Sequence, residues 1–188
     1  MIKAAVQAKE EGLCQPILLG NEEMIQKKAQ ELDLSLNGIE IVNLRHDRER
    51  ERRERYAKVL ADKRCREGYT FDEANDKMFE RNYFGMMMVE TGDADAFITG
   101  LYTKFSNTIK AAKEIIGIRK PYNHFATMNI LNSKRGTYYI ADTLVNPSPD
   151  KETLKDIAKL TADTVNFFND EPKIAMISYS NFGADKNG

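Results

Sequence analysis

Near the end of this 188-residue sequence, Ser178-Tyr179-Ser180-Asn181-Phe182-Gly183 joins hydroxyl and amide donors to a glycine that lets backbone N–H groups converge. That combination suits phosphate, pyrophosphate or carboxylate, and equally a polar turn whose side chains satisfy the local backbone. A second candidate lies at Gly100 and Thr103-Lys104-Phe105-Ser106-Asn107-Thr108, where a tight turn opens a helix. Free N–H groups and the dipole at a helix start favour an anion, although such turns also serve only to reverse the chain. Lys110 on that helix would offer a mobile positive charge, or simply be an exposed lysine. Asp93, Asp95 and Asp142 are candidate acid, base or metal-holding groups; a lone aspartate at a strand end more often caps or turns the chain. The two histidines, His46 and His124, lie far apart, which argues against a histidine-based metal site or triad.

The elements that would position these residues follow an α/β pattern. Ala94 to Thr99 reads as a central strand buried on both faces, followed by a helix from about Ser106 to Ile116 with Ile109, Ala112, Ile115 and Ile116 inward. Upstream, Ile2 to Glu11 reads as a helix, Gln15 to Gly20 as a strand, and Asn21 as the N-cap of a helix to about Leu32. With Ile39 to Val42 as the next strand, this predicts a parallel βαβ crossover. The first helix has no strand before it, so either a helix leads the fold or the sequence starts inside a longer polypeptide.

The charged run from Arg45 to Glu67 has mixed signs, with Glu49–Arg53 and Glu51–Arg55 at the spacing of helical ion pairs. It predicts a solvated helix, not a nucleic-acid arm, with Tyr56, Val59 and Leu60 as its core stripe. Thr70-Phe71-Asp72-Glu73 has the form of a capping box, starting a helix through about Phe79. Met86, Met87 and Met88 would line an adaptable pocket or fill the core. Beyond Pro121 the pattern shifts, placing a boundary near residue 122 and subdomains at 1–121 and 122–188. Phe125 to Leu131 and Thr137 to Leu144 form a hairpin. A helix follows from Lys151 to about Phe168, with Leu154, Ile157, Ala158, Thr161 and Val165 along one face, and Lys173 to Ile177 reads as a final buried strand.

A formal charge of −1 and pI near 6.2 give no global bias toward nucleic acid. No apolar run reaches the ~20 residues of a membrane helix and no signal-peptide layout is present, which sets the expectation at a cytoplasmic protein with no membrane partner. Cys14 and Cys65 are expected to be reduced thiols.

Taken together, several motifs resemble the phosphate acetyl/butyryl transferase family. They are Gln15-Pro16-Ile17-Leu18-Leu19-Gly20, Gly92-Asp93-Ala94-Asp95-Ala96 with Gly100, Thr108 with Ala111-Ala112, Ile140-Ala141-Asp142 with Val145-Asn146-Pro147, and Glu171-Pro172 through Ser180. The resemblance implies a three-layer α/β/α fold of the isocitrate/isopropylmalate dehydrogenase type. It would have two subdomains with a cleft between them and be dimeric through the second. Active members move an acyl group between CoA and phosphate without a metal. The resemblance also implies a first strand before Ile2 and catalytic Arg and Asp residues beyond Gly188.

Two departures bear on activity. Where family enzymes typically place a small hydroxyl residue and, five positions on, an arginine, this sequence has Phe105 and Lys110. Its last loop continues as Ser180-Asn181-Phe182-Gly183. These residues, with Ile140-Ala141-Asp142-Thr143, are similar to the C-terminal phosphotransacetylase-like domain of hybrid malic enzymes. That branch implies a regulatory acetyl-CoA-binding, oligomer-forming domain without acyl transfer. It would follow an upstream malic-enzyme domain that alone uses NAD(P) and a divalent metal. Lys110, Ser178, Ser180, Asn181 and Gly183 are then the expected ligand contacts. An active phosphate acetyltransferase or butyryltransferase and a purely structural dimerisation module are the alternatives.

Overall fold

The computed structural model describes residues 1–100 and 103–177, which form two compact units, Met1–Gly117 and Ile118–Gly188. In the first unit, α1 (Ile2–Glu10) leads to β1 (Ile17–Leu19), α2 (Glu22–Glu31) and β2 (Glu40–Val42). β1 and β2 pair in parallel, with Ile17 opposite Glu40 and Leu19 opposite Val42. This is the predicted crossover. Asn21 caps α2 as expected, its Oδ1 accepting from the Met24 N–H at 2.9 Å and so satisfying one of the helix's orphan donors.

The core of this unit is helical. α3 (Arg50–Arg64), α4 (Phe71–Lys77) and α5 (Arg81–Glu90) enclose Tyr56, Leu60, Met78, Phe84 and Met87, each under 2% exposed. Tyr56 and Phe84 meet edge to face, with ring centroids 5.1 Å apart. Met86, Met87 and Met88 are all buried, so of the two readings of the methionines it is the core filler that holds. The capping box at Thr70 forms in both directions with Glu73. α3 is less solvated than its charge implies. Arg53 turns inward to donate to the carbonyls of Leu44 and His46, at 2.7 and 2.9 Å, and Glu49 instead pairs with Arg52 and Arg48. Neither expected i, i+4 pair forms: Arg53 answers the carbonyls of the loop before the helix, and Arg55 pairs with Asp93.

Residues 94–99 are not a strand. Asp93 and Ala94 donate their N–H groups to the Met88 carbonyl, closing the end of α5, and Ile98 is 83% exposed. A short apolar run specifies burial, whereas a strand also needs a neighbour's ladder. Side chains hold the segment instead, with Phe97 lying across Gly85 of α5 and the Thr99 hydroxyl donating to Asn82 Oδ1 at 2.8 Å. α6 (Phe105–Ile115) follows. Its buried residues are Ala111 and Ile115, while Ile116, expected inward, is 48% exposed.

The second unit contains a hairpin, β3 (Met128–Ser133) and β4 (Gly136–Ala141), and one long helix, α7 (Lys151–Phe167). Ser133 pairs with Gly136, so the polar turn tightens to Lys134 and Arg135. Asp150 caps α7 by accepting from the Thr153 N–H. Lys173 to Ile177 is neither buried nor a strand: Ile177 is 90% exposed and no ladder reaches it among the described residues. No helix among the described residues is long and apolar enough to cross a membrane.

A methyl group at Gly85 would overlap the Phe97 ring. Overpacking of ~1–3 kcal/mol outweighs the ~1 kcal/mol that alanine gains over glycine inside a helix. Gly85→Ala is therefore expected to lower unfolding stability in urea by about 1 kcal/mol and to expose residues 94–99; a stabilised variant would contradict the packing described.

Candidate functional site

α6 carries Lys110, the expected ligand contact in the first unit. Its N-cap, Lys104, has no side-chain acceptor to offer the first N–H groups, and Phe105 opens the helix with a half-exposed ring. Below this end lies a polar cluster. Buried Asn82 donates to Thr108 Oγ1 at 3.1 Å and to Thr103 Oγ1 at 3.4 Å while accepting from Thr99. It ties the helix start to α5.

The other end of α6 is clamped from α3. Arg64 donates through Nε to the Glu114 carbonyl and through a terminal nitrogen to the Lys113 carbonyl, both at 2.6 Å, satisfying acceptors that a helix C-terminus leaves free. The Glu114 carboxylate receives the Tyr69 hydroxyl at 2.6 Å and the Tyr83 hydroxyl at 2.5 Å. Burial alone would raise its pKa, but the two tyrosines, Lys110 and Lys77 hold it below the ordinary value. Burial and the Glu114 bond push the Tyr69 hydroxyl up to about 12, and they raise Tyr83 as well. Lys110 projects from the helix with its side chain 64% exposed and its Nζ 3.8 Å from Glu114 Oε1. Ser178, Ser180, Asn181 and Gly183, the other expected contacts, lie outside the described residues. Lys110 is thus the one member of the expected set whose surroundings are known.

Two of the three candidate carboxylates, Asp93 and Asp142, are engaged in holding local structure. Asp93 accepts from Arg55 and from the Tyr56 hydroxyl; burial raises its pKa, but these donors bring it below normal. Asp142 organises the loop after β4. It accepts the Thr127 N–H at 2.9 Å, the Asn146 N–H and side-chain amide at 2.6 Å each, the Val145 and Leu144 N–H groups, and the Thr127 hydroxyl. Burial opposes its ionisation, yet these donors hold its pKa down to about 2. His46 caps the Asp47–Glu49 turn and His124 binds Asp156 at 2.9 Å, so each is engaged in its own unit. Cys14 and Cys65 are free and exposed.

In the second unit, a groove of about 960 Å³ runs between β4, α7 and residues 170–177. Ile140, Leu154, Ile157, Val165, Ile174 and Met176 line it, so the apolar stripe expected on α7 faces this groove.

The whole chain, residues 1–188, matches the family described as phosphate acetyl/butaryl transferase. The chain belongs to that family. It is 35% identical over 181 residues to an NADP-dependent malic enzyme of Salmonella typhimurium, a match that takes in 94% of this chain and 23% of that protein. It is 33% identical over 180 residues to a phosphate acetyltransferase of Corynebacterium glutamicum, covering 96% of this chain and 54% of the relative. In three dimensions it is similar to a phosphotransacetylase from Streptococcus pyogenes, with a TM-score of 0.81 and 30% identity over 98% of this chain and 56% of that one. The chain thus spans about half the length of the phosphate acetyltransferase and about a quarter of the malic enzyme.

The Lys110–Glu114 pair, the tyrosine pair on Glu114, the Arg64 clamp and the Asn82 cluster escaped the sequence reading. Of these, only Lys110–Glu114 has a readable signal, its i, i+4 spacing on a helix. The others join positions 17 to 50 residues apart.

The depressed Asp142 pKa makes the second unit's stability pH-dependent. A carboxylate whose pKa is lowered on folding stabilises above its unfolded value, ~4, and that contribution is lost as pH falls toward about 2. Asp142→Asn is expected to lower stability at neutral pH and to flatten the acid limb between those values. An unaltered acid limb, followed by circular dichroism, would contradict the assignment.

Proposed function

We propose that the chain is a regulatory acyl-CoA-binding and oligomerisation domain of a malic enzyme, and that it does not itself transfer acyl groups. The reading is carried by the replacements on α6. A phenyl ring at Phe105 cannot donate to phosphate as a hydroxyl does, and Lys110 lacks the planar two-pronged grip of arginine. The similarity to malic enzymes, of which the chain matches only a quarter, fits a domain joined to a larger catalytic polypeptide.

The residues present fit an anionic ligand better than a reaction. Lys110 supplies an exposed ammonium, and the start of α6 supplies N–H groups with no side-chain cap. With Ser178, Ser180, Asn181 and Gly183, these would hold the phosphates of CoA in the cleft of a three-layer, two-subdomain fold. Residues 1–121 would form the first subdomain and 122–188 the start of the second. The longer protein would be cytoplasmic and homo-oligomeric, with NAD(P) and a divalent metal confined to its malic-enzyme domain, which oxidatively decarboxylates malate to pyruvate. Regulation requires acetyl-CoA to bind one arrangement of the assembly better than another.

An active phosphate acetyltransferase or butyryltransferase is the second reading. It is favoured by the likeness to the Streptococcus pyogenes phosphotransacetylase at a TM-score of 0.81. Two measurements separate these readings. Calorimetric titration is expected to show acetyl-CoA binding that Lys110→Ala weakens about five- to tenfold, and acetyl-CoA with inorganic phosphate is expected to yield no acetyl phosphate. Accumulation of acetyl phosphate would establish the transferase. No binding at all, with dimerisation indifferent to acetyl-CoA, would leave a purely structural module.

A further inference from the structure

Glu114 makes more contacts than an ion-pair partner for Lys110 requires. Both tyrosine hydroxyls reach the same atom, Oε2, so the carboxylate is pinned and its second oxygen is left toward the Lys110 ammonium. The Glu114 side chain is 15% exposed, that of Lys110 64%. A fixed, half-hidden anion therefore stands beside a mobile, solvent-facing cation on one helix. Lys77, the other cation acting on Glu114, is occupied at the Tyr83 ring, 4.7 Å from its centroid.

We propose that Glu114 attenuates the ligand site, competing with an incoming phosphoryl anion for the Lys110 ammonium and setting acyl-CoA affinity below what Lys110 alone would give. The proposal rests on the reading of Lys110 as a ligand contact. Two effects act in the same direction. To reach a phosphate, the ammonium must leave or share a carboxylate that its anchors prevent from following. The phosphate must also settle near a negative charge that remains in place. A purely packing role for Glu114 would predict the opposite sign, because loosening α6 would weaken any site built on it. A sensor benefits from the attenuated form, since it must release its ligand as the concentration falls.

The test is a double-mutant cycle read by calorimetric titration of acetyl-CoA into the full chain at low and high salt. Glu114→Gln keeps an oxygen for the tyrosine hydroxyls and removes the charge. It is expected to bind acetyl-CoA about two- to threefold tighter at low ionic strength, with the gain shrinking in salt and shrinking again in a Lys110→Ala background, where only the direct repulsion between Glu114 and the phosphate is left to relieve. Glu114→Met, uncharged and without an acceptor, should show the same gain despite a lower melting temperature. Weaker binding in Glu114→Gln, unchanged binding, or a gain undiminished without Lys110 would each overturn the attenuation. Failure of the unsubstituted chain to bind acetyl-CoA would overturn the ligand reading itself.

Discussion

One arginine fixes the helix on which the functional reading depends. Arg64 reaches from the end of α3 to two carbonyls in the last turn of α6, and the neighbouring Glu114 carboxylate takes two tyrosine hydroxyls from elsewhere in the same unit. These bonds lock both the rotation and the height of α6 against the α3–α5 core, where Ala111 and Ile115 are fully buried. Charge-assisted bonds to otherwise unpaired carbonyls are costly to lose, so the clamp has few alternatives available to it. Phe105 and Lys110 inherit their positions from this arrangement, and Asn82 fixes the opposite end of the helix.

The first unit was legible in the sequence wherever a local rule decided the outcome. Asn21, the Thr70 capping box and the β1–α2–β2 crossover follow from cap chemistry and periodicity, and each lies where those rules placed it. The sequence misled where an apolar run was taken for a strand. Residues 94–99 and 173–177 have strand-like composition, but strands are made by neighbours, and among the described residues no ladder meets either segment. The charged helix misled in another way. Its pairing was read from spacing along one helix, whereas Arg53 answers to carbonyls outside it and Arg55 to Asp93. Membership of the family was readable because the motifs are spread along the whole chain; the Glu114 network was not, because its tyrosines have no fixed spacing to it.

Function turns on how a common scaffold is used. The fold-level likeness to phosphotransacetylases leaves the use of the scaffold open, and the proposed role rests on the side chains of α6. A helix start without a side-chain cap and a single mobile ammonium are enough to bind an anion. Acyl transfer would need, in addition, convergent donors aimed at the charge that develops in its transition state. Binding without turnover is the condition for a sensor, provided that the ligand discriminates between two states of the longer protein.

The most direct test is made on the proposed malic-enzyme polypeptide that would carry this chain, following malate-dependent reduction of NADP while acetyl-CoA is titrated. A saturable loss of malate oxidation, relieved in the Lys110→Ala variant, is the predicted result. Malate oxidation indifferent to saturating acetyl-CoA would contradict the regulatory account.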